Sequence, residues 1–257
     1  MDKSLYETGV RPAIDDFLLE ESKKIRDYGQ YWSASSAGYC MRKVVFDRLG
    51  VEPVKQDARK QKVFSVGHIF HEWIQTITRN ANLSVEQELE LVDENLKIKG
   101  HIDDLIRVPI NDSGELAKHG DDIQQNHYIL YDYKTQHSYA FKYQGEMSPY
   151  HRMQLGTYMM MLRNTNYPKL NEARILKISK DDLRMTEEQL FWSEELEADV
   201  LNYWNTINDY TARKKMPPCT CEGFMASDKY NPYFYNGEPC SKDWYDIWKS
   251  NKENKGE

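Results

Sequence analysis

The sequence predicts an α/β protein built on a central mixed β-sheet flanked by helices, and three observations carry that prediction. Its periodic segments run helix, three strands, helix, strand, helix, an order that layers helices on a sheet. Its 257 residues are enough for one large core. Eighteen Tyr, six Trp and eight Phe supply buried surface that a disordered chain lacks, although hydrophobic residues are only 40% and mean hydropathy is -0.81.

Residues 12–28 read as a helix within an N-terminal extension, residues 1–30. In SASSAGYCMRKVVFDRLG a serine cluster precedes helical spacing at Val44, Val45 and Leu49, with Ser35 or Ser36 as the cap. Phe64–Asn80 is a clearer helix, in which Val66, Ile69, Phe70, Trp73, Ile74 and Ile77 form the stripe expected to face the core. His71 lies at the margin of that stripe, and His68 opposite it, towards solvent.

Alternation over Val85–Val92 predicts a strand, Lys97–Val108 a second and His127–Thr135 a third. The polar, Gly-containing stretch between the last two reads as a long hairpin excursion. Pro149 opens a helix over Tyr150–Arg163, followed by a strand at Ala173–Ile178 and a helix over Thr186–Lys214. The main core is therefore expected over residues 31–215. After Pro217-Pro218 an irregular, aromatic, Cys-containing segment, residues 216–257, ends in a charged tail.

Several classes are disfavoured. No run of 18 apolar residues predicts a membrane span, and the N-terminal residues lack the apolar stretch of a secretory signal. Four cysteines are too few for a secreted disulfide framework, so a cytoplasmic location is expected. A net charge of -7 disfavours a general nucleic-acid coat protein. Locally, Arg42 to Lys62 holds seven basic residues against three acids, which is either a solvated face or a backbone grip.

The chemistry concentrates in LYDYKT, Leu130–Thr135. Residues two apart on a strand share a face, so Asp132 and Lys134 point together. Alone such a pair is most often a structural ion pair. Asp103 on the neighbouring strand adds a second carboxylate, which calls for a cation between the two. Gly100 permits close approach of backbone or ligand. His71 is a third candidate ligand, and Gln154 and Tyr158, four residues apart on a helix, can project towards the same place.

Taken in order, GHIFH (Gly67–His71), GHID (Gly100–Asp103), DYK (Asp132–Lys134) and QLGTY (Gln154–Tyr158) resemble the RecB-like branch of the PD-(D/E)XK nuclease superfamily. The resemblance implies a restriction-endonuclease-like core and a metal-dependent DNA exonuclease acting in DNA processing, recombination or repair, of the kind also encoded by phages. His71, Asp103, Asp132 and the Tyr133 carbonyl would bind Mg²⁺ or Mn²⁺. Asp103, Asp132 and Lys134 would be catalytic, with Lys134 positioning or activating water. Gln154 and Tyr158 would contact DNA or steady the site, and Arg42 and Lys43 would grip the backbone. The implied partner is DNA with a free end or a single strand. A non-catalytic nucleic-acid-binding subunit and a structure-specific endonuclease are the alternatives.

Cys40, Cys219, Cys221 and Cys240 are all the cysteines in the chain. They read as small buried hydrophobes, or as thiolates for Zn²⁺ or an iron–sulfur cluster. One before the core and three after it resemble the iron–sulfur nucleases related to AddB and the CRISPR-associated RecB-like exonucleases, which implies a 4Fe-4S cluster. Met41 replaces the usual proline, and the eighteen residues between Cys221 and Cys240 exceed the family spacing. Such a site would close a loop of about 180 residues.

Overall fold

The computed structural model describes residues 29–51, 58–110, 125–143, 147–221, 233–235, 238–245 and 247, together with Ile14, Phe17, Leu18 and Glu20. The expected N-terminal helix otherwise lies outside the described residues, as does most of the hairpin excursion. Five strands form a mixed sheet in the order β2 (Ser84–Gln87), β5 (Asp104–Ile110), β6 (Gln125–Gln136), β7 (Glu172–Ser179), β8 (Met185–Phe191). All neighbours are antiparallel except β6 and β7, which run parallel. A second sheet of three joins β1 (Trp32–Ser33), β4 (Ile98–His101) and β3 (Glu90–Asp93). The helices are α1 (Met41–Arg48), α2 (Ala58–Asn80), α3 (Pro149–Arg163) and α4 (Glu194–Ala212). The chain is an α/β protein, and none of its described helices is long and apolar enough to cross a membrane.

Two expected strands are each divided between the sheets. Val85–Val92 breaks at Glu88, whose φ of 52° lies in the left-handed region, and so yields β2 and β3. Lys97–Val108 bends at Ile102–Asp103 and yields β4 and β5. Alternation of side chains cannot reveal a change of partner strand, because it reports only the pleat. The expected helix over Thr186–Lys214 begins only at Glu194: Met185–Phe191 is edge strand β8, whose alternating half-exposure mimics neither a core helix nor a hydrophobic strand. Neither Ser35 nor Ser36 caps α1. Both lie in a 3-10 turn, and Cys40 occupies the cap position without a side-chain bond.

The largest departure concerns α2. Val66, Ile69, Trp73 and Ile77 are 38%, 64%, 43% and 48% exposed, whereas Ile74 and Gln75 are buried. The helix is rotated so that Gly67, His71, Gln75 and Thr78 meet the sheet. Polar anchoring decides that rotation. Gln75 Nε2 donates to the Asp103 carbonyl and to Glu88, and Thr78 Oγ1 donates to Asp104.

α3 is the crossover between β6 and β7, as parallel pairing requires. Ser148 caps it by accepting from the His151 N–H, with Pro149 in the first turn. Its Leu155, Met159 and Leu162 are completely buried with Trp204 and Ile207 of α4. Gly100 serves packing rather than a ligand: a Cβ there would stand 2.7 Å from the Ala34 Cβ and 2.9 Å from the Tyr158 hydroxyl.

Candidate active site and four-cysteine centre

A notch in the sheet positions the candidate catalytic residues. Pairing of β5 with β6 ends at Asp104 opposite Tyr131, while β6 continues to Gln136 against β7 alone. Asp103 sits at the bend just before β5, and its Oδ2 accepts the Tyr133 N–H at 2.7 Å, in place of the missing strand. The N–H and C=O of one strand residue point to the same side, so the Tyr133 carbonyl also faces the notch.

His71 and Asp132 reach this notch from opposite faces. His71 Nδ1 of α2 lies 3.5 Å from Asp103 Oδ2, with its ring edge-on to Tyr133 at 5.9 Å. On the other face Lys134 Nζ lies 2.7 Å from Asp132 Oδ2, and Gln154 Nε2 donates to Asp132 Oδ1 at 3.0 Å. Asp132 Oδ2 is buried and accepts no hydrogen bond of good geometry. Tyr158 is 3% exposed and packs beneath Gly100.

The charges in the notch depend on one another. Burial pushes Asp132 up to about 6, and Asp103 adds repulsion that Lys134 only partly offsets. Burial opposes ionisation of Asp103 too, but His71 and Lys134 hold it below its ordinary value. His71 and Lys134 are likewise raised, because the two carboxylates outweigh their burial. His71 and Asp103 thus lie together on one side of the notch and Asp132 on the other; among the described residues only the four cysteines gather three or more such ligand atoms closely enough to hold a metal ion as they stand.

Behind the notch lies a residue that the motif reading passed over. Asp104 is fully buried, and its carboxylate accepts from Thr78 Oγ1 (2.6 Å), Ser84 Oγ (2.5 Å), Gln87 Nε2 (3.1 Å) and Tyr133 OH (2.9 Å). It thereby ties α2, β2 and β6 together directly behind Asp103. The bond to Tyr133 also fixes the ring against which His71 rests. Asp104→Asn presents an amide donor to donors, so at least one buried group loses its partner. A loss of about 1–3 kcal/mol in urea unfolding is expected. No adjacent-residue signal marks Asp104 in the sequence, because its partners come from three separate elements.

Arg42 and Lys43 are engaged by carboxylates. Arg42 Nη2 donates to Asp243 at 2.9 Å and to the Lys242 carbonyl, while Lys43 pairs with Asp47 at 3.0 Å and overlies the Tyr39 ring. Both lie beside the second centre. Cys40, Cys219, Cys221 and Cys240 bring their sulfurs within 4.8 Å of one another, with Cys40 to Cys219 at 3.9 Å and Cys221 to Cys240 at 3.7 Å. The C-terminal segment is thus packed on α1, where Phe46, Val51, Tyr233, Cys240 and Ile247 form a small apolar cluster. Tyr233 OH donates to Asp47 at 2.5 Å.

The thiols are also unequal. A hydrogen bond with Cys240 pulls Cys40 down to about 4, whereas burial and the Cys40 charge push Cys221 up to about 12. Four thiolates this close require a cation, and the group can hold a metal ion.

No protein-family model matches the chain, and no curated protein does. Among solved structures it is similar to one described as "Crystal structure of SSO0001", at 17% sequence identity and a TM-score of 0.53. The match covers 88% of this chain and 95% of that one. At that identity the likeness concerns the fold alone. Fold and site together define an α/β protein with a mixed sheet, an acid–lysine notch and a four-cysteine centre.

Proposed function

We propose that the chain is a metal-dependent DNA exonuclease, related in its site to the RecB-like PD-(D/E)XK nucleases. One observation carries the reading. Asp132 is a buried carboxylate paired with Lys134 at 2.7 Å, and it feels the charges of Asp103 and His71 close by. A structural ion pair needs one carboxylate, whereas here a second, Asp103, lies near enough to raise Asp132 by repulsion, an arrangement that a cation would relieve. A bound Mg²⁺ or Mn²⁺, held by His71, Asp103, Asp132 and the Tyr133 carbonyl, would polarise the scissile phosphate and acidify the attacking water. Lys134 orients that water and stabilises the charge developing on the phosphoryl oxygens. Gln154 holds the Asp132 carboxylate in its rotamer, and Tyr158 supports the strand beneath.

The test is digestion of end-labelled single- and double-stranded linear DNA and of circular DNA, with Mg²⁺ or Mn²⁺. Release of nucleotides from linear substrate, with circles surviving, is the expected result. Cutting of circles would favour an endonuclease instead, and no cleavage of any substrate would overturn the nuclease reading.

For the four-cysteine centre, the sulfur spacing supports one tetrahedral ion, with zinc the redox-inert choice. Thiolates at about 2.3 Å from a single ion stand about 3.8 Å apart; the Cys221–Cys240 and Cys40–Cys219 pairs are at 3.7 and 3.9 Å, with all four sulfurs within 4.8 Å of one another. The 4Fe-4S cluster implied by the family resemblance places four irons between the thiolates and would need them spread further. Metal analysis of anaerobically purified protein should give one zinc per chain. Iron with acid-labile sulfide and a brown colour would reverse this choice.

A further inference from the structure

Five buried side-chain nitrogen or oxygen atoms among the described residues have no hydrogen-bond partner, and four of them belong to one region. Asp132 Oδ2, Gln136 Nε2 and Glu188 Oε2 lie on a single face of the sheet. His151 Nδ1 belongs to α3, which covers that face. The register explains why they share it. Asp132, Lys134 and Gln136 alternate along β6, Lys134 is opposite Lys177 of β7, and Ile175 is opposite Glu188 of β8. Helical spacing places His151 one turn before Gln154, the residue that reaches Asp132.

Lys134 and Lys177 occupy facing positions on neighbouring strands, whose backbones run about 4.8 Å apart, and like charges so placed oppose folding. Each has a carboxylate partner, Lys134 in Asp132 and Lys177 in Glu188. An ammonium has three donors, and each of these carboxylates takes one. His151 stands against both lysines, and burial with those two charges depresses it to about 4, so it stays neutral. Gln136 adds an unused amide donor on the same side. Two ammonium groups, an amide and a neutral imidazole that can donate through one nitrogen outnumber the carboxylates of Asp132 and Glu188 beside them and make a donor set for an anion with several oxygens.

We propose that Gln136, His151 and Lys177, with Lys134 at their edge, form a second phosphate-binding subsite for the phosphodiester next to the scissile one. The subsite deepens the nuclease reading and rests on it. Lys134 would stand between the two phosphates, so binding at one position orients the other. Glu188 is a positioning residue: it fixes Lys177 against the sheet, with the two side chains only 15% and 13% exposed.

The test pairs substrate chemistry with a variant that preserves hydrogen bonding. Single-stranded oligonucleotides carrying one uncharged methylphosphonate at successive linkages are cleaved by the wild type and by Lys177→Gln/Glu188→Gln. A methylphosphonate beside the scissile linkage should slow the wild type about 10- to 100-fold, the effect of one lost charge-assisted contact. The double variant should be slower on all-phosphate DNA and insensitive to that replacement. An equal methylphosphonate penalty in both proteins, or none in the wild type, overturns the subsite. Gln136→Met, which alters no charge, provides the same comparison if the double variant does not fold.

A second measurement separates this idea from the nuclease reading. Without divalent metal, inorganic phosphate should shift the His151 imidazole resonances of the wild type but not of the double variant. No shift in the wild type overturns the subsite, whether or not DNA is cleaved. A shift without any cleavage would retain an anion site while removing the nuclease.

Discussion

If the chain is the nuclease proposed above, Lys134→Ala should lower metal-dependent cleavage by at least about 10³-fold, a loss typical of a charge aimed at the reacting oxygens. The same substitution moves the acid limb of the pH–rate profile upwards. Asp132 sits at about 6 chiefly because it is buried, and Lys134 is the main influence restraining that rise. Cation binding needs the ionised carboxylate, so activity of the wild type should grow as pH passes through about 6. Without Lys134 that growth begins at higher pH and requires more Mg²⁺.

Asp103→Asn should be equally inactive with the opposite pH signature, because its negative charge helps to raise Asp132. Stability follows the other sign. A carboxyl raised in the folded state favours folding below its unfolded value and loses that contribution as pH rises through about 6. In the absence of divalent metal, acidification from neutral pH to 5 should therefore strengthen the fold locally, and added Mg²⁺ should reduce that trend. Full activity in Lys134→Ala would sink the catalytic assignment; an unmoved acid limb would sink the account of Asp132.

Cys240→Ser should cost about 2–5 kcal/mol in urea unfolding, comparable with losing a structural crosslink. Cys240 is completely buried and its N–H donates to the Tyr233 carbonyl at 2.7 Å, so its sulfur is held firmly in the group. Four cysteines join the start of α1 to the chain beyond α4, with Cys40 and Cys219 179 positions apart in the sequence. Chelation of the wild type should reproduce the loss, and should do nothing further in the variant. Metal return should release protons, since a thiol held as high as Cys221 must ionise to become a ligand. Equal stability with and without metal would show that the apolar cluster of Phe46, Val51, Tyr233 and Ile247 alone holds the segment.

Much of the site could be read along the chain. The two-residue period of a strand puts Asp132 and Lys134 on one face, and the same rule extended by two residues reaches Gln136. The helical period links His151 to Gln154 as it links Gln154 to Tyr158. Lys177 could not be found in this way. Its relation to Lys134 is a register between parallel strands joined through a helix, and register is set by packing of the whole sheet. Asp104 was hidden for a similar reason, because Thr78, Ser84, Gln87 and Tyr133 meet it from three elements.

The amphipathic reading of α2 shows where periodicity misleads. Its apolar stripe located a helix correctly but aimed it wrongly, since Ile69 and Trp73 face outward while Gln75 is buried. Hydrophobic spacing reports an intrinsic property of the helix, whereas rotation depends on which neighbours can satisfy its buried polar groups. Here Asp104 and the Asp103 carbonyl satisfy them.

By itself, the sequence determined the α/β class, most of the elements, the shared face of Asp132 and Lys134, and the existence of a one-plus-three set of cysteines. Those are local matters, decided by side-chain period, turn residues and composition. Only the tertiary structure decided that two expected strands divide between sheets, that β6 overruns β5 to leave a notch, and that the four sulfurs meet within 4.8 Å. Each of these depends on contacts between residues far apart in the chain, whose geometry is set by satisfying buried polar groups and filling one core, and no short stretch of residues encodes that alone.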